Sequence, residues 1–392
     1  MIDGKRAIAI VGCGGMGGGH AVAISNGSGT AIWKVQSTED GKLLREGDTD
    51  ISEKLALAGT YDIAPDRQEW ARDQGFHAYD SYEAILADER VDIVLIATPN
   101  HLHKDEAIRA MRAGKHVLCE KPVMITSRDL MDVMEVARET GRVFYPRQNR
   151  RWDQDYLIIK KIYDEKLVGS VFNIENRVHG SRGIPGDWRG VKEYGGGMML
   201  DWGVHLLDRL LDMVPEKVKK VFASMTHITN AECDDGFKMH ITFESGLTAV
   251  IEVGTCNFIN LPLWYIAGVQ GTAVIHSWQC DGNIVVLESW EDKDAAPIMA
   301  GEGLTKTMAP RVGDTTAELP LPDAPFDSNE LYSNLVDVVD AAENGEHTGA
   351  AGCANIAGHA KQIVTCEQAL RCLRLMEAAF ESDEKGIVVN FE

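Results

Sequence analysis

Basic residues are scarce relative to acids in this 392-residue chain: 39 Lys and Arg stand against 60 Asp and Glu, a formal net charge of −21. That balance excludes the concentrated positive surface that nucleic acids and anionic membranes require. Long apolar runs are lacking too. No window approaches the roughly 18 uncharged apolar residues of a membrane span. The first apolar run, in MIDGKRAIAIVGCGG, passes straight into glycines and reads as no secretory leader. The eight cysteines (Cys13, Cys119, Cys233, Cys256, Cys280, Cys353, Cys366 and Cys372) form no Cys-x-x-Cys pair and no zinc-like spacing. They read as small apolar residues in a reducing cytoplasm, and no structural metal is expected.

What is present is the composition of a soluble globular protein, 44 % apolar and 25 % charged. The length exceeds what one hydrophobic core usually supports and predicts two or three units. Residues 5–145 alternate strand-like runs (RAIAIVG, LALAGTYD, DIVLIATP, KHVLCEK, RVFYPRQ) with helical stretches at 65–75, 81–89, 103–113 and 126–140. Near-continuous Val/Ile/Leu strands between amphipathic helices predict an α/β fold with a doubly wound parallel sheet. After about residue 150 the strand-like runs SVFNIENRVHG, KKVFASMTHI, KMHITFE, LTAVIEVGTC, TAVIHSW and NIVVLES are separated by turn signals such as Gln270-Gly271 and Asp281-Gly282. They predict a second α+β domain with a large, mostly antiparallel sheet. The expected division is 1–148 and 149–392, with a polar insertion at 25–54, an extended excursion at 291–328 and closing helices within 329–382.

Gly12-Cys13-Gly14-Gly15-Met16-Gly17 fits G-x-G-x-x-G directly after a strand and at the start of a helix. Glycines there permit the tight turn and the close approach of backbone N–H groups to a pyrophosphate. An acid at the end of the second strand suits the ribose hydroxyls, and Asp62 is placed for it. It lies 50 positions beyond Gly12 rather than about 20, an excess the insertion explains. Asp62 also suits capping the turn before Pro65. An acid here favours NAD over NADP, although Arg67 is near. The third strand ends in Ala97-Thr98-Pro99-Asn100-His101-Leu102-His103, and the fourth in Glu120-Lys121-Pro122. Carboxyl ends of strands line the ligand crevice of such a sheet, which makes Thr98, Asn100, His103, Glu120 and Lys121 candidates near the nicotinamide. Asp201 and His205, four apart, would share one helix face, where the carboxylate orients an imidazole able to exchange a proton. Trp188 suits stacking on a sugar as well as plain packing, and Arg182 or Arg189 suits binding hydroxyls or cofactor.

Together GCGGMG, ATPNHLH, AGKHVLCEKP and GGGMMLDWGVHLLD resemble the Gfo/Idh/MocA family, the glucose–fructose oxidoreductase and inositol dehydrogenase group, in an order that covers nearly the whole chain. The resemblance implies an N-terminal Rossmann domain, a C-terminal domain with an open-faced sheet used for homo-oligomer contacts, and hydride transfer between NAD or NADP and a carbohydrate or polyol. It implies that Lys121 positions the substrate hydroxyl, that His205 is the general acid/base with Asp201 beside it, and that Gln148 or Asn149 lies near the cofactor. The HGSRGIPGDWRG loop (179–190) looks more like members that oxidise the 3-hydroxyl of a glycoside than like plain inositol dehydrogenases. The expected protein is a cytoplasmic NAD-dependent sugar or glycoside dehydrogenase. The rival readings are an inositol dehydrogenase, a glycosidase or lyase that oxidises its sugar transiently with tightly held NAD, and a non-catalytic sensor.

Overall fold

The structure, a computed structural model, describes residues 1–27, 49–290, 296–311, 315–325, 327, 329–345 and 361–391. Most of the 25–54 insertion therefore lies outside the described residues. In the first half the strands are β1 (Arg6–Val11), β2 (Leu55–Tyr61), β3 (Ile93–Ile96), β4 (His116–Cys119) and β5 (Phe144–Pro146). Between them run α1 (Gly15–Ser25), α2 (Pro65–Asp73), α3 (Tyr82–Ala87), α4 (His103–Arg112) and α5 (Ser127–Thr140). The strands form one parallel sheet in the order β2-β1-β3-β4-β5. β1, β3 and β4 are almost wholly buried because helices cover both faces, as expected of a parallel sheet.

Register positions the site. Tyr61 pairs with Val11, Val11 with Ile96, and Ile96 with Cys119. The residues that follow (Gly12, Asp62, Ala97 and Glu120) therefore leave the sheet at one carboxyl edge.

The second half begins with α6 (Gln154–Asp164), β6 (Val171–His179), α7 (Val204–Met213), β7 (Val218–Thr226), β8 (Gly236–Phe243) and β9 (Thr248–Gly254). It continues with β10 (Trp264–Gly268), β11 (Gly271–Ile275), β12 (Gly282–Leu287), β13 (Ile298–Ala300), β14 (Gly303–Thr305), β15 (Thr316–Pro320), α8 (Glu330–Glu343), α9 (Cys366–Lys385) and β16 (Val389–Asn390). Nine strands form a sheet ordered β15-β12-β11-β10-β6-β9-β8-β7-β16, antiparallel except for the β6–β9 pair. Ile174, Met239, Ile251, Trp264 and Ile284 are buried on its inner face in one core with residues of α7 and α9. Each such side chain contributes about 1.5–3 kcal/mol by leaving water. Phe172, Phe222, Tyr265 and Val285 of the same sheet are exposed, so the sheet is open on its outer face.

Three features depart from the sequence reading. The 291–328 excursion contains the β13–β14 hairpin and gives the nine-stranded sheet its edge strand β15. Helix α8 buries Leu331, Leu335, Val336 and Val339 against Ile8, Ile10, Leu95 and Leu118, so a helix from the second half covers a face of the first sheet. Six cysteines, at 13, 119, 233, 256, 280 and 372, are free, but Cys366 is disulfide-bonded rather than reduced. No helix among the described residues is long and apolar enough to cross a membrane.

Candidate active site

The glycine turn is built for close backbone approach. Gly12 has φ +83, and a Cβ on it would lie 2.7 Å from the Ala97 carbonyl. A Cβ on Gly17 would meet the Gly12 oxygen at 1.7 Å, which packs α1 directly onto the turn. No side chain caps the start of α1 at Gly14, leaving its first amides available to an anion. Asp62 ties the neighbouring turn to this one: Oδ2 accepts from Cys13 N at 2.7 Å and Oδ1 from Ala64 N at 2.8 Å. It does not cap α2, whose cap position is Ala64 with no side-chain hydrogen bond, and it stays in the wall of the crevice. Arg67 donates Nε to the Cys13 carbonyl at 2.8 Å, with its guanidinium 4.8 Å from the centre of the Trp70 ring.

Gly12, Asp62 and Arg67 line a cleft of about 540 Å3 together with Gly14, Gly15, Met16, Thr98, Asn100, Glu120, Lys121, Trp188, Arg189 and Asp201. Glu106, which sequence reasoning missed, is also in the wall. It accepts a 2.6 Å hydrogen bond from Thr98 Oγ1, and burial pushes its carboxyl up to about 7. Its position three residues after His103 on α4 was the available signal. Asn100 crosses to the second half, donating Nδ2 to the Gly195 carbonyl at 2.8 Å.

At the end of β4 the Lys121–Pro122 peptide is cis. Lys121 Nζ donates to Asp201 Oδ1 at 2.8 Å and to the Asp201 carbonyl at 2.9 Å. Arg189 Nε lies 3.3 Å from the same Oδ1. Burial opposes the charge on Asp201, but Lys121 and Arg189 outweigh it and hold the carboxyl below the ordinary range. Glu120 is nearly inaccessible. Burial again opposes its charge, and Arg147, the His20 hydrogen bond and Lys121 keep it well below the usual carboxylate range.

Asp201 and His205 do not share an α-helical face as the spacing predicted. Asp201 lies in a π-helical turn, Met199–Gly203, that precedes α7, and its carboxylate turns to Lys121 and Arg189 instead of the imidazole. His205 is 5 % exposed, edge-on to Trp202 at 6.0 Å, with Nδ1 unpartnered among the described residues. Burial and the charges of Lys121, Arg150, Arg209 and Arg147 hold it well below its ordinary pKa, hence neutral.

Five candidates lie outside the cleft wall, Asn149 at the start of the Asn149–Trp152 turn among them. His205 is another. His103 is buried, with its ring nitrogens 2.9 Å from the Thr98 carbonyl and 3.0 Å from the Pro122 carbonyl, and so braces the two loops. Gln148 is buried with its Oε1 unpartnered, and Arg182 is exposed. The cradle at Gly12 and Gly17, the uncapped start of α1 and the acid at Asp62 fit a dinucleotide.

Residues 6–148 match the family described as "Oxidoreductase family, NAD-binding Rossmann fold", and residues 156–274 match the GFO/IDH/MocA C-terminal domain. An NAD-binding protein from Listeria innocua is 44 % identical, with alignment over 98 % of this chain and 99 % of that one and a TM-score of 0.85. The scyllo-inositol 2-dehydrogenase (NADP(+)) of Bacillus subtilis is 27 % identical over 79 % of this chain and 82 % of its own. The 2,7-anhydro-N-acetylneuraminate hydratase of Escherichia coli is 28 % identical over 52 % of this chain and 56 % of its own. The chain spans about half the length, 44 % to 56 %, of several curated relatives it matches.

Proposed function

This chain belongs to the Gfo/Idh/MocA family of NAD-binding oxidoreductases, and on that footing we propose that it oxidises a secondary hydroxyl of a pyranose or glycoside, at C3 of a glucoside, with NAD as hydride acceptor. The observation that carries the reading is the Lys121–Asp201 contact in the wall of the same cleft as the glycine turn. Gly12, Gly14, Gly15 and Met16 would hold the pyrophosphate, and Asp62 the adenosine ribose. A carboxylate fixed by two backbone amides disfavours an added phosphate there, and Arg67 spends Nε on the Cys13 carbonyl. Both points support NAD over NADP.

The bound nicotinamide supplies the hydride acceptor. The protein's part is positioning and proton transfer. Lys121, fixed by Asp201, brings an ammonium group to the hydroxyl and stabilises negative charge as the proton leaves. His205, held neutral by burial and surrounding cations, is in the protonation state needed to accept that proton. Trp188, with Arg189 4.6 Å from its ring centre, offers an apolar face to the sugar. The open outer sheet face, with Phe172, Phe222, Tyr265 and Val285, is the surface for a homo-oligomer.

A panel of free sugars, inositols and glycosides offered with NAD tests the reading. The expected result is reduced nicotinamide and a 3-keto product with glycosides. A second reading, supported by the similarity to the hydratase, has the sugar oxidised and reduced again within one turnover. Consumption of a glycoside without net reduced nicotinamide would mark that reading, and no reaction with any member of the panel would overturn both.

A further inference from the structure

Behind the Glu120–Lys121 strand end lies a closed ring of hydrogen bonds that the reaction as described does not use. Arg147, just beyond β5, donates from Nη1 to Glu120 Oε1 at 3.0 Å and from Nε to the Tyr332 hydroxyl at 3.2 Å. His20 of α1 completes the ring, with Nε2 2.7 Å from Glu120 Oε1 and Nδ1 2.9 Å from the Tyr332 oxygen. All four are 5 % exposed or less. They come from α1, the ends of β4 and β5, and α8, with 312 positions separating His20 from Tyr332.

The proton arrangement follows from donor chemistry. Arginine has donors only, so the Tyr332 oxygen accepts from Arg147. Burial and the charge of Arg147 keep His20 neutral. The tyrosine proton then goes to Nδ1, and Nε2–H donates to Glu120. The opposite tautomer would point Nδ1–H at the Tyr332 oxygen and leave Nε2 as a bare nitrogen against the Glu120 carboxylate, which has no proton to give. Glu120 Oε2 in turn accepts the Lys121 backbone N–H at 3.1 Å, and Glu120 also reaches the cleft wall.

We propose that His20 and Tyr332 are positioning residues for the Lys121–Asp201 pair. Glu120, which has acceptors only, selects the Nε2–H tautomer of His20, Tyr332 holds the ring in place through Nδ1, His20 fixes the Glu120 carboxylate, and Glu120 fixes the root of Lys121. Helix α8 thereby sets the reacting end of the cleft as well as covering the sheet. The inference rests on the reading of Lys121 given above. A displacement of about 1 Å at a reacting group is enough to cost about 10²-fold in rate, so an apolar replacement in this ring acts at a distance.

The test uses the full chain saturated with NAD and labelled with 15N-histidine, with His20→Gln assigning the resonance. Wild-type protein should show His20 with Nε2 protonated and Nδ1 unprotonated from pH 6 to 9, and Tyr332→Phe should keep Nε2 protonated while shifting the Nδ1 resonance as its hydrogen bond is lost. Kinetically, Tyr332→Phe and His20→Leu should each lower kcat about tenfold or more, with KM and the NAD Kd within about threefold of wild type. His20→Gln, which keeps a donor toward Glu120, should recover most of the loss, and it decides the matter if Tyr332→Phe fails to fold. Wild-type kcat in both apolar variants with only a lowered Tm would overturn the proposal. So would an Nδ1–H tautomer in wild type. If Lys121→Ala keeps full turnover, the reading of Lys121 fails instead, and the NMR outcome still reports on the ring.

Discussion

Lys121 Nζ lies 2.8 Å from Asp201 Oδ1, a contact made across 80 positions of sequence that joins the edge of the parallel sheet to the turn before α7. Removing the amine should remove the charge that stabilises the hydroxyl as its proton leaves, and leave the glycine turn intact. Lys121→Ala should lower kcat/KM by about 10²–10⁴, with the NAD Kd, measured by calorimetry, within about threefold of wild type. Asp201→Asn should cost less, because the neutral amide still accepts a hydrogen bond from the lysine.

Cofactor choice should follow Asp62. Both its oxygens are fixed by backbone amides, at 2.7 and 2.8 Å, so it cannot swing away from a phosphate on the ribose. NAD should bind at least about tenfold more tightly than NADP, a difference of about 1.4 kcal/mol. Asp62→Ser should weaken NAD and narrow the ratio. Titration with both reduced cofactors checks it, and equal wild-type affinities would contradict it.

Acid should destabilise the fold partly through His116. Its Nδ1 accepts from Val143 N at 3.0 Å and its Nε2 lies 2.8 Å from Glu343 Oε1. Burial, opposed by Glu343 and aided by Arg142, pushes its pKa down to about 4 from an ordinary 6.5. The unfolded ring takes its proton first as pH falls, so stability is lost between about pH 6.5 and 4, by about 3 kcal/mol for this group. His116→Asn, which keeps an acceptor for Val143, should flatten that part of the slope in urea unfolding at pH 7, 5.5 and 4.5.

Glu106 should act with the opposite sign. Its folded carboxyl keeps its proton up to about 7, whereas the unfolded one loses it near 4.5. Its contribution is therefore lost as pH rises through that window. Glu106→Gln keeps an acceptor for Thr98 Oγ1 and removes the buried charge. It should stabilise the protein by up to about 3 kcal/mol at pH 8, by less than about 1 kcal/mol at pH 5 and by nothing measurable at pH 3.5.

The first sheet was legible because its strands are near-continuous Val, Ile and Leu runs set off by amphipathic helices. The second sheet was less so. Strand β10 (Trp264–Gly268), central between β11 and β6, is five residues long and follows Pro262, too short to show a period. The spacing of four between Asp201 and His205 was read as an α-helix, whereas Asp201 lies in a π-helical turn. The π turn depends on packing: a Cβ on Gly203 would meet Met199 Sδ at 2.7 Å and the Phe237 ring at 3.1 Å. The His20–Glu120–Arg147–Tyr332 ring left no local signal. Its members are separated by up to 312 positions, and it exists only because α8 docks on the first sheet.

The central claim is hydride transfer from a sugar carbon to NAD under the control of Lys121, and deuterium tests it most directly. A methyl glucoside deuterated at C3 should deliver its label to C4 of the nicotinamide in wild-type protein, visible by mass spectrometry of the recovered cofactor. Lys121→Ala should bind NAD and transfer label about 10²–10⁴ times more slowly. Unlabelled cofactor after wild-type turnover of the glycoside, or equal transfer by Lys121→Ala, would contradict the account.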